Sequence, residues 1–229
     1  MLPEASRKTL ARRLSAALCL ALVSVFAWAA CRQTAGFDTW TFEGRRQLLV
    51  ANGELRAPTV AMNQAFGYAV LQWPSGAATP AAYLVDFIYV RCPSVCRSLG
   101  SQYQQMQRQL QNDPALARVQ LASISFDVAH DGRAELRQLA SSLGAEATRW
   151  SFAVPASDGD AYKLLRALGV VAIDDGAGGF VHNGDIHLLD RQGRLRGLFA
   201  VDEWTQALAA AGRLAQQAQV QVQVQAAAP

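Results

Sequence analysis

AAYLVDFIYVRCPSVCRSLGSQYQQMQRQLQND, residues 81–113, changes its hydrophobic period partway along. Residues 81–90 form a continuous apolar run with β-branched and aromatic side chains, the pattern of a central strand buried on both faces. The run leads straight into Cys92-Pro93-Ser94-Val95-Cys96. Beyond it, Leu99, Tyr103, Met106 and Leu110 recur at helical spacing, so an amphipathic helix is expected. Asn112-Asp113-Pro114 should stop that helix, because the residue before a proline is pushed out of the helical region. A strand running into a helix through two cysteines is the junction around which the rest of the chain is arranged.

Downstream, VQLASISFDV reads as a second buried strand, residues 133–143 as a helix, and Trp150-Ser-Phe-Ala-Val as a short third strand. DAYKLLRALG is a further helix closed by Gly169. A Gly-rich loop, DDGAGG, precedes DIHLLD and RLRGLFAV, two strands around the turn Arg191-Gln192-Gly193. A last helix is expected to start near Asp202, a suitable N-cap. The Gln/Val alternation of residues 216–229 is read as a frayed low-complexity tail, with an edge strand as the alternative. Upstream, residues 31–80 hold apolar runs such as QLLVA and YAVLQW broken by Gly and Pro, and suggest irregular strands or a hairpin. Strand, helix, strand, helix, two hairpinned strands and a final helix is the thioredoxin order. The fold expected is therefore α/β, with a mixed sheet flanked by helices over residues 81–215 and parallel pairing at its centre.

The chain of 229 residues carries a formal charge of +3, but residues 1–13 alone hold Arg7, Lys8, Arg12 and Arg13 against Glu4. The remaining 216 residues sum to zero, which leaves no basic face for phosphates and argues against nucleic acid as a partner. After the basic tail comes LSAALCLALVSVFAWAA, residues 14–30, without a charge. Seventeen residues give roughly 25 Å of helix, the lower limit for a membrane span. Positive charge before the segment places the N-terminus inside and the domain outside the cytoplasm, in the periplasm or a comparable space. A transmembrane anchor, a signal peptide cut after Ala27-Trp28-Ala29 and a lipoprotein modified on Cys31 all lead to that compartment.

Cys19 lies within the apolar segment as a small hydrophobe. Cys92 and Cys96 are the pair in the soluble part, and in an oxidising space such a pair is a disulfide or a metal site. They sit at the carboxyl edge of the sheet, where open α/β sheets keep their sites. The helix N-terminus favours thiolate over thiol there, and Arg91 and Arg97 push the same way. Pro93 suits the first turn of a helix. A disulfide here would close a loop of only a few residues and add little stability, so a reactive pair is the reading adopted.

The three-residue spacer departs from the C-x-x-C of ordinary disulfide oxidoreductases. FIYVRCPSVCRSL resembles the strand and C-P-x-x-C segment of the Sco/SenC family. SISFDVAHD resembles that family's next strand, with Asp127 and Asp131 in its acidic positions. FVHNGDIHLLDRQGRL resembles its late D-H-S segment, which puts His182 in the place of the metal-ligating histidine. The resemblance covers roughly residues 81–200. This chain departs from it at Arg97, where proline is usual, at Val181, where an acid precedes the histidine, and at Asn183, in place of Ser or Thr. His187 stands where Tyr or Phe is common, and residues 31–80 match poorly.

The resemblance implies a metal site of Cys92, Cys96 and His182. Two thiolates and one imidazole are a soft three-ligand set that suits Cu(I) and also holds Cu(II). Zinc would seek a fourth ligand. His187, five residues from His182, points to the opposite face if both lie on one strand; if Asn183-Gly184 turns the chain, that argument fails. His130 is read as a surface residue, and Asp127 as a cap or a neighbour of the site. Two functions follow. One is copper delivery to, or preparation of the cysteines of, a respiratory oxidase such as one with a dinuclear copper centre. The other is thiol–disulfide exchange by the Cys92/Cys96 redox pair, served by a thioredoxin-like reductant. The two are compatible, because a metal needs the reduced pair.

Overall fold

A computed structural model describes residues 4–34, 36–37, 39–67, 71–75, 80–92 and 95–227; the side chains of residues 4–8, 10, 11, 95–98 and 221–227 lie outside that description. The chain forms two compact units, residues 1–48 and 49–229. The first is dominated by α1 (Glu4–Gln33), one helix that takes in the basic residues as well as the apolar run. Its 22-residue stretch Arg12–Gln33 is long and apolar enough to cross a membrane by length and composition. Leu14, Leu18, Leu22, Phe26 and Trp28 all stand exposed along it, so the helix keeps little of its apolar surface inside the protein.

α2 (Phe42–Ala51) corrects the irregular strand expected for QLLVA. The Gly44 N–H donates to Thr41 Oγ1 at 2.9 Å at its start, which is a side-chain cap. Gly53, at φ +68°, ends it, with N–H groups of Gly53 and Glu54 returning to the carbonyls of Val50 and Leu49. The run YAVLQW begins at residues 68–70, which lie outside the described residues.

In the second unit a six-stranded sheet has the order β1-β4-β3-β2-β7-β8. These strands are β1 (Met62–Gln64), β2 (Ala82–Ile88), β3 (Val119–Ser125), β4 (Trp150–Pro155), β7 (Ile186–Asp190) and β8 (Leu195–Phe199). β2, β3 and β4 run parallel, β7 and β8 add an antiparallel edge, and β1 pairs antiparallel with β4 at the other edge. Between the parallel strands come α3 (Val95–Asn112) and α4 (Arg133–Ser142). Two right-handed crossovers stepping the same way along a sheet put their helices on one face. Leu99, Tyr103, Leu136 and Ala140 accordingly join Leu84 and Ile88 in one core. The same core takes Ala207, Leu208, Ala211 and Ala215 from α6 (Trp204–Ala227), spaced as one helical stripe. The opposite face of β2, with Tyr83, Val85, Phe87 and Tyr89, packs against Leu164 of α5 (Asp158–Ala167) and against Val50, Leu71 and Trp73. This mixed sheet between helices is the thioredoxin-like arrangement expected from the strand order.

Two further differences matter. The DDGAGG segment is not a plain loop: it turns a two-stranded ribbon, β5 (Ala172–Asp174) with β6 (Phe180–His182). Asp175 Oδ1 accepts the N–H groups of Ala177 and Gly179, and Gly176 and Gly178 take positive φ. The C-terminal Gln/Val run is helical to Ala227 rather than frayed or extended. Ala and Gln are good helix formers, and extending a helix that packing has already nucleated costs little. The cap expected at Asp202 is supplied instead by Glu203, whose carboxylate accepts the Ala200 N–H at 3.0 Å ahead of the 3₁₀ turn Val201–Glu203.

Candidate metal centre

β2 ends at Ile88, and the chain turns through Tyr89, Val90 and Arg91 before Cys92, whose N–H donates to the Tyr89 carbonyl at 3.1 Å. Two carboxylates from the loop after β3 hold that turn. Asp131 Oδ2 accepts the Val90 N–H at 2.8 Å and the Ser125 hydroxyl at 2.6 Å. Asp127 Oδ2 lies 3.0 Å from Arg91 Nη2, and its Oδ1 lies 2.8 Å from His130 Nδ1. Both carboxyls are buried. Burial alone would raise the Asp127 pKa, but hydrogen bonds and charge from His130 and Arg91 outweigh it and the group sits below its ordinary value. Asp131 goes the other way: burial raises it more than the Ser125 and Val90 bonds lower it.

The arm that carries His182 approaches from the other side. His182 ends β6, half-buried, with its ring centroid 5.3 Å from Phe126 and 6.0 Å from Tyr89. The Tyr89 hydroxyl accepts the Phe180 N–H at 3.3 Å and lies 3.4 Å from the Phe180 carbonyl. Asn183 pins the base of the arm, accepting the Val171 N–H at 2.8 Å. Burial lowers the His182 pKa against the opposing pull of the Asn183 carbonyl and the Asp185 charge, which favours the neutral, metal-ligating imidazole. A proton on Nδ1, 3.3 Å from the Asn183 carbonyl, places the other lone pair on Nε2.

Tyr89 therefore touches both halves of the expected site: its carbonyl anchors Cys92 and its side chain meets His182 and Phe180. The Cys96 side chain and residues 93–94 lie outside the described residues, and so do the expected Cys92–Cys96 pairing and the place of Pro93. Among the described residues no three His, Cys, Asp or Glu side chains gather as a metal cage. The three-ligand set needs Cys96 to complete it.

A sequence model of the SCO1/SenC family matches residues 77–217. The chain belongs to the SCO1/SenC family. Among solved structures it is similar to Bradyrhizobium japonicum ScoI with copper bound, at 22% identity and a TM-score of 0.55, over 69% of this chain and 99% of that one. It is similar to a SCO1/SenC family lipoprotein from Bacillus anthracis str. Ames at 16% identity and a TM-score of 0.60, covering 70% and 95%. BsSco, a member of the Sco family of cytochrome c oxidase assembly proteins, matches at 16% identity and a TM-score of 0.59, covering 71% and 94%. At these identities the structures establish the fold. A search of curated proteins finds no match.

Within this SCO1/SenC chain the departures have local explanations. Val181, where an acid is usual in the family, is 66% exposed, and the charge of Asp185 pulls against the burial that lowers the His182 pKa. Asn183 does structural work that Ser or Thr is too short to reproduce in full. His187 is fully buried in β7, edge-on to Phe87 at 5.1 Å, with Nδ1 3.1 Å from the Asp185 carbonyl. It is an aromatic packing residue; the chain turns between β6 and β7, so strand parity does not decide the matter. His130 is 54% exposed as expected, but paired with Asp127. Arg91, assigned from sequence to the thiolates, has its guanidinium on Asp127. Asp131 enters the sequence reading as the second acid of the segment after β3, whereas Tyr89 carries no individual signal there. Asp86 was read as part of an apolar run, and the structure buries it beneath the cysteine turn.

Proposed function

We propose that this chain is a membrane-anchored, extracytoplasmic copper-binding protein that carries copper as cargo on Cys92, Cys96 and His182. In this reading it delivers the copper to a respiratory copper enzyme, such as the dinuclear centre of a cytochrome oxidase, or prepares that enzyme's cysteines. The observation that carries the reading is the double role of Tyr89, which ties the start of the cysteine segment and the histidine arm to one strand end. The donor chemistry agrees: soft sulfur ligands select Cu(I), and a third ligand of imidazole tolerates Cu(II). The Bradyrhizobium relative holds copper, BsSco belongs to oxidase assembly proteins, and the Bacillus anthracis relative is a lipoprotein. α1, with its 22-residue apolar stretch, serves as the anchor, and the basic residues before that stretch keep the N-terminus on the cytoplasmic side.

The test is copper competition titration of the full-length chain in detergent, reduced before loading. About one copper per chain is expected. Cys92→Ser or Cys96→Ser should abolish tight binding, because two remaining ligands hold an exchangeable metal poorly. His182→Ala should weaken binding by roughly 10–100-fold or more, scaling from the loss of an outer partner. Full occupancy in either cysteine variant would sink the site.

A further inference from the structure

The turn between β7 and β8, Asp190-Arg191-Gln192-Gly193-Arg194, lies beside Ala82 at the start of β2, whereas Cys92 follows the other end of that strand. At ~3.3 Å per residue the strand separates the two by about 20 Å. Local bonds hold the turn. Asp190 Oδ1 accepts the N–H groups of Gln192 and Arg194, each at 2.9 Å, and the Gly193 N–H donates to the Asp190 carbonyl at 2.9 Å. Gly193 takes φ +80° and lies so close to Trp73 that a Cβ there would meet its side chain at 2.8 Å. Arg56 Nε donates to the Gln192 carbonyl at 2.9 Å and ties the turn to the chain before β1. Arg194 and Arg196 then stand two residues apart at the start of β8, on one face of it.

Arg191, Arg194 and Arg196 line a cavity of about 160 Å³ together with Asp190 and with Leu214 and Gln217 of α6. That volume holds several waters at ~30 Å³ each, or one compact oxyanion. Three guanidiniums against one carboxylate give a local excess of positive charge, which the zero sum beyond residue 13 hides. None of the three arginines is ion-paired to a described carboxylate, Asp190 included. Arg191 is half-buried, and its Nη1 is shut off from solvent with no hydrogen-bond partner among the described residues. A buried charged donor without an acceptor is costly, and a ligand oxygen in the cavity would remove that cost.

We propose that this cavity is a binding site for inorganic hydrogen phosphate. The site goes beyond the copper reading and shares no residue with it. Guanidiniums present planar forks of N–H donors that match phosphate oxygens, and the Gln217 amide adds a further donor. Asp190 supplies the selectivity. Both of its turn bonds fall on Oδ1, which leaves Oδ2 to accept the P–OH proton that hydrogen phosphate keeps near neutral pH. Sulfate has the same shape but no proton there, so it would set a bare oxygen against the carboxylate. The phosphodiester of a lipid headgroup lacks that proton as well.

The experiment titrates inorganic phosphate into the metal-free full-length chain in a non-ionic detergent at physiological ionic strength, read by calorimetry and phosphorus NMR. The expected result is saturable binding of one phosphate per chain, with sulfate weaker by about tenfold or more and phosphatidylglycerol vesicles unable to displace it. Arg191→Gln should weaken phosphate binding by about 10–100-fold, the loss of a charge-assisted hydrogen bond. Asp190→Asn keeps an oxygen for the Gln192 and Arg194 N–H groups but puts a donor where Oδ2 stood, so sulfate should then bind as well as phosphate. Arg133→Gln, on α4 and outside the cavity, should bind phosphate as the wild type does. Absence of saturable binding to the wild-type chain overturns the proposal. Equal affinity for phosphate and sulfate in the wild-type chain also overturns it, because that marks an unselective basic patch. So does undiminished phosphate binding in Arg191→Gln.

Discussion

The turn before Cys92 and the arm that carries His182 meet at Tyr89, but they are held by different forces. Charge holds the turn: two buried carboxylates, Asp127 and Asp131, take a backbone N–H, a hydroxyl, a guanidinium and an imidazole between them. Ring packing against Tyr89, Phe126 and Phe180 holds the arm, together with the Tyr89 hydroxyl and the Asn183 amide. Buried charge-assisted bonds fix geometry and are costly to break. An arm of two three-residue strands with Ile173 and Val181 exposed has far less to lose, and belongs to the low-stability end of the molecule. The contrast assigns the fixed side to the turn before Cys92 and the adjustable side to the arm that carries His182.

The largest effect should come from the charged side. Asp131→Ala leaves the Val90 N–H and the Ser125 hydroxyl buried without their acceptor and should cost about 3 kcal/mol, read as a lower denaturant midpoint. Asp127→Asn sharpens this through pH. The Asp127 carboxyl is lowered in the folded state, so its contribution is present above the unfolded value and is lost as pH falls through the folded one. The Asp127→Asn deficit should therefore be full at pH 7 and fade in acid. Asp131, raised by burial, has the opposite slope and weakens the fold as pH climbs past the ordinary carboxylate range.

A smaller effect is expected on the arm. Tyr89→Phe removes the hydroxyl that meets the Phe180 N–H and carbonyl and should cost about 1 kcal/mol. The loss should appear as faster hydrogen exchange of the Phe180 amide, with amides of β2 and β3 unmoved. If Tyr89→Phe destabilised the chain more than Asp131→Ala, the division into a fixed and an adjustable side would be wrong.

How far the sequence could be read follows the same physics. The β2–α3 junction was legible because a fully buried strand and an amphipathic helix impose different periods on adjacent residues. The order of the later strands followed from that, and the C-P-x-x-C, acidic and histidine segments supplied the candidates Cys92, Cys96, Asp127, Asp131 and His182 on which the proposed site rests. What escaped was structure set by single local contacts. α2 depends on one threonine cap and one left-handed glycine, and the β5–β6 ribbon on the Asp175 side chain turning a Gly-rich segment. The Gln/Val tail alternates like a strand but extends a helix whose stripe was already packed. Asp86 escaped because one polar residue does not interrupt an apolar run, and only its burial beneath the cysteine turn makes it conspicuous. The Arg91–Asp127 pair escaped because sequence adjacency to Cys92 says nothing of the acid across the loop.

X-ray absorption at the copper edge tests the central claim most directly. For the reduced full-length chain loaded with one equivalent of Cu(I), the account predicts two sulfur scatterers and one nitrogen, with the nitrogen lost in His182→Ala and retained in His130→Ala and His187→Ala. A nitrogen that persists without His182, or a site with fewer than two sulfurs, would contradict it.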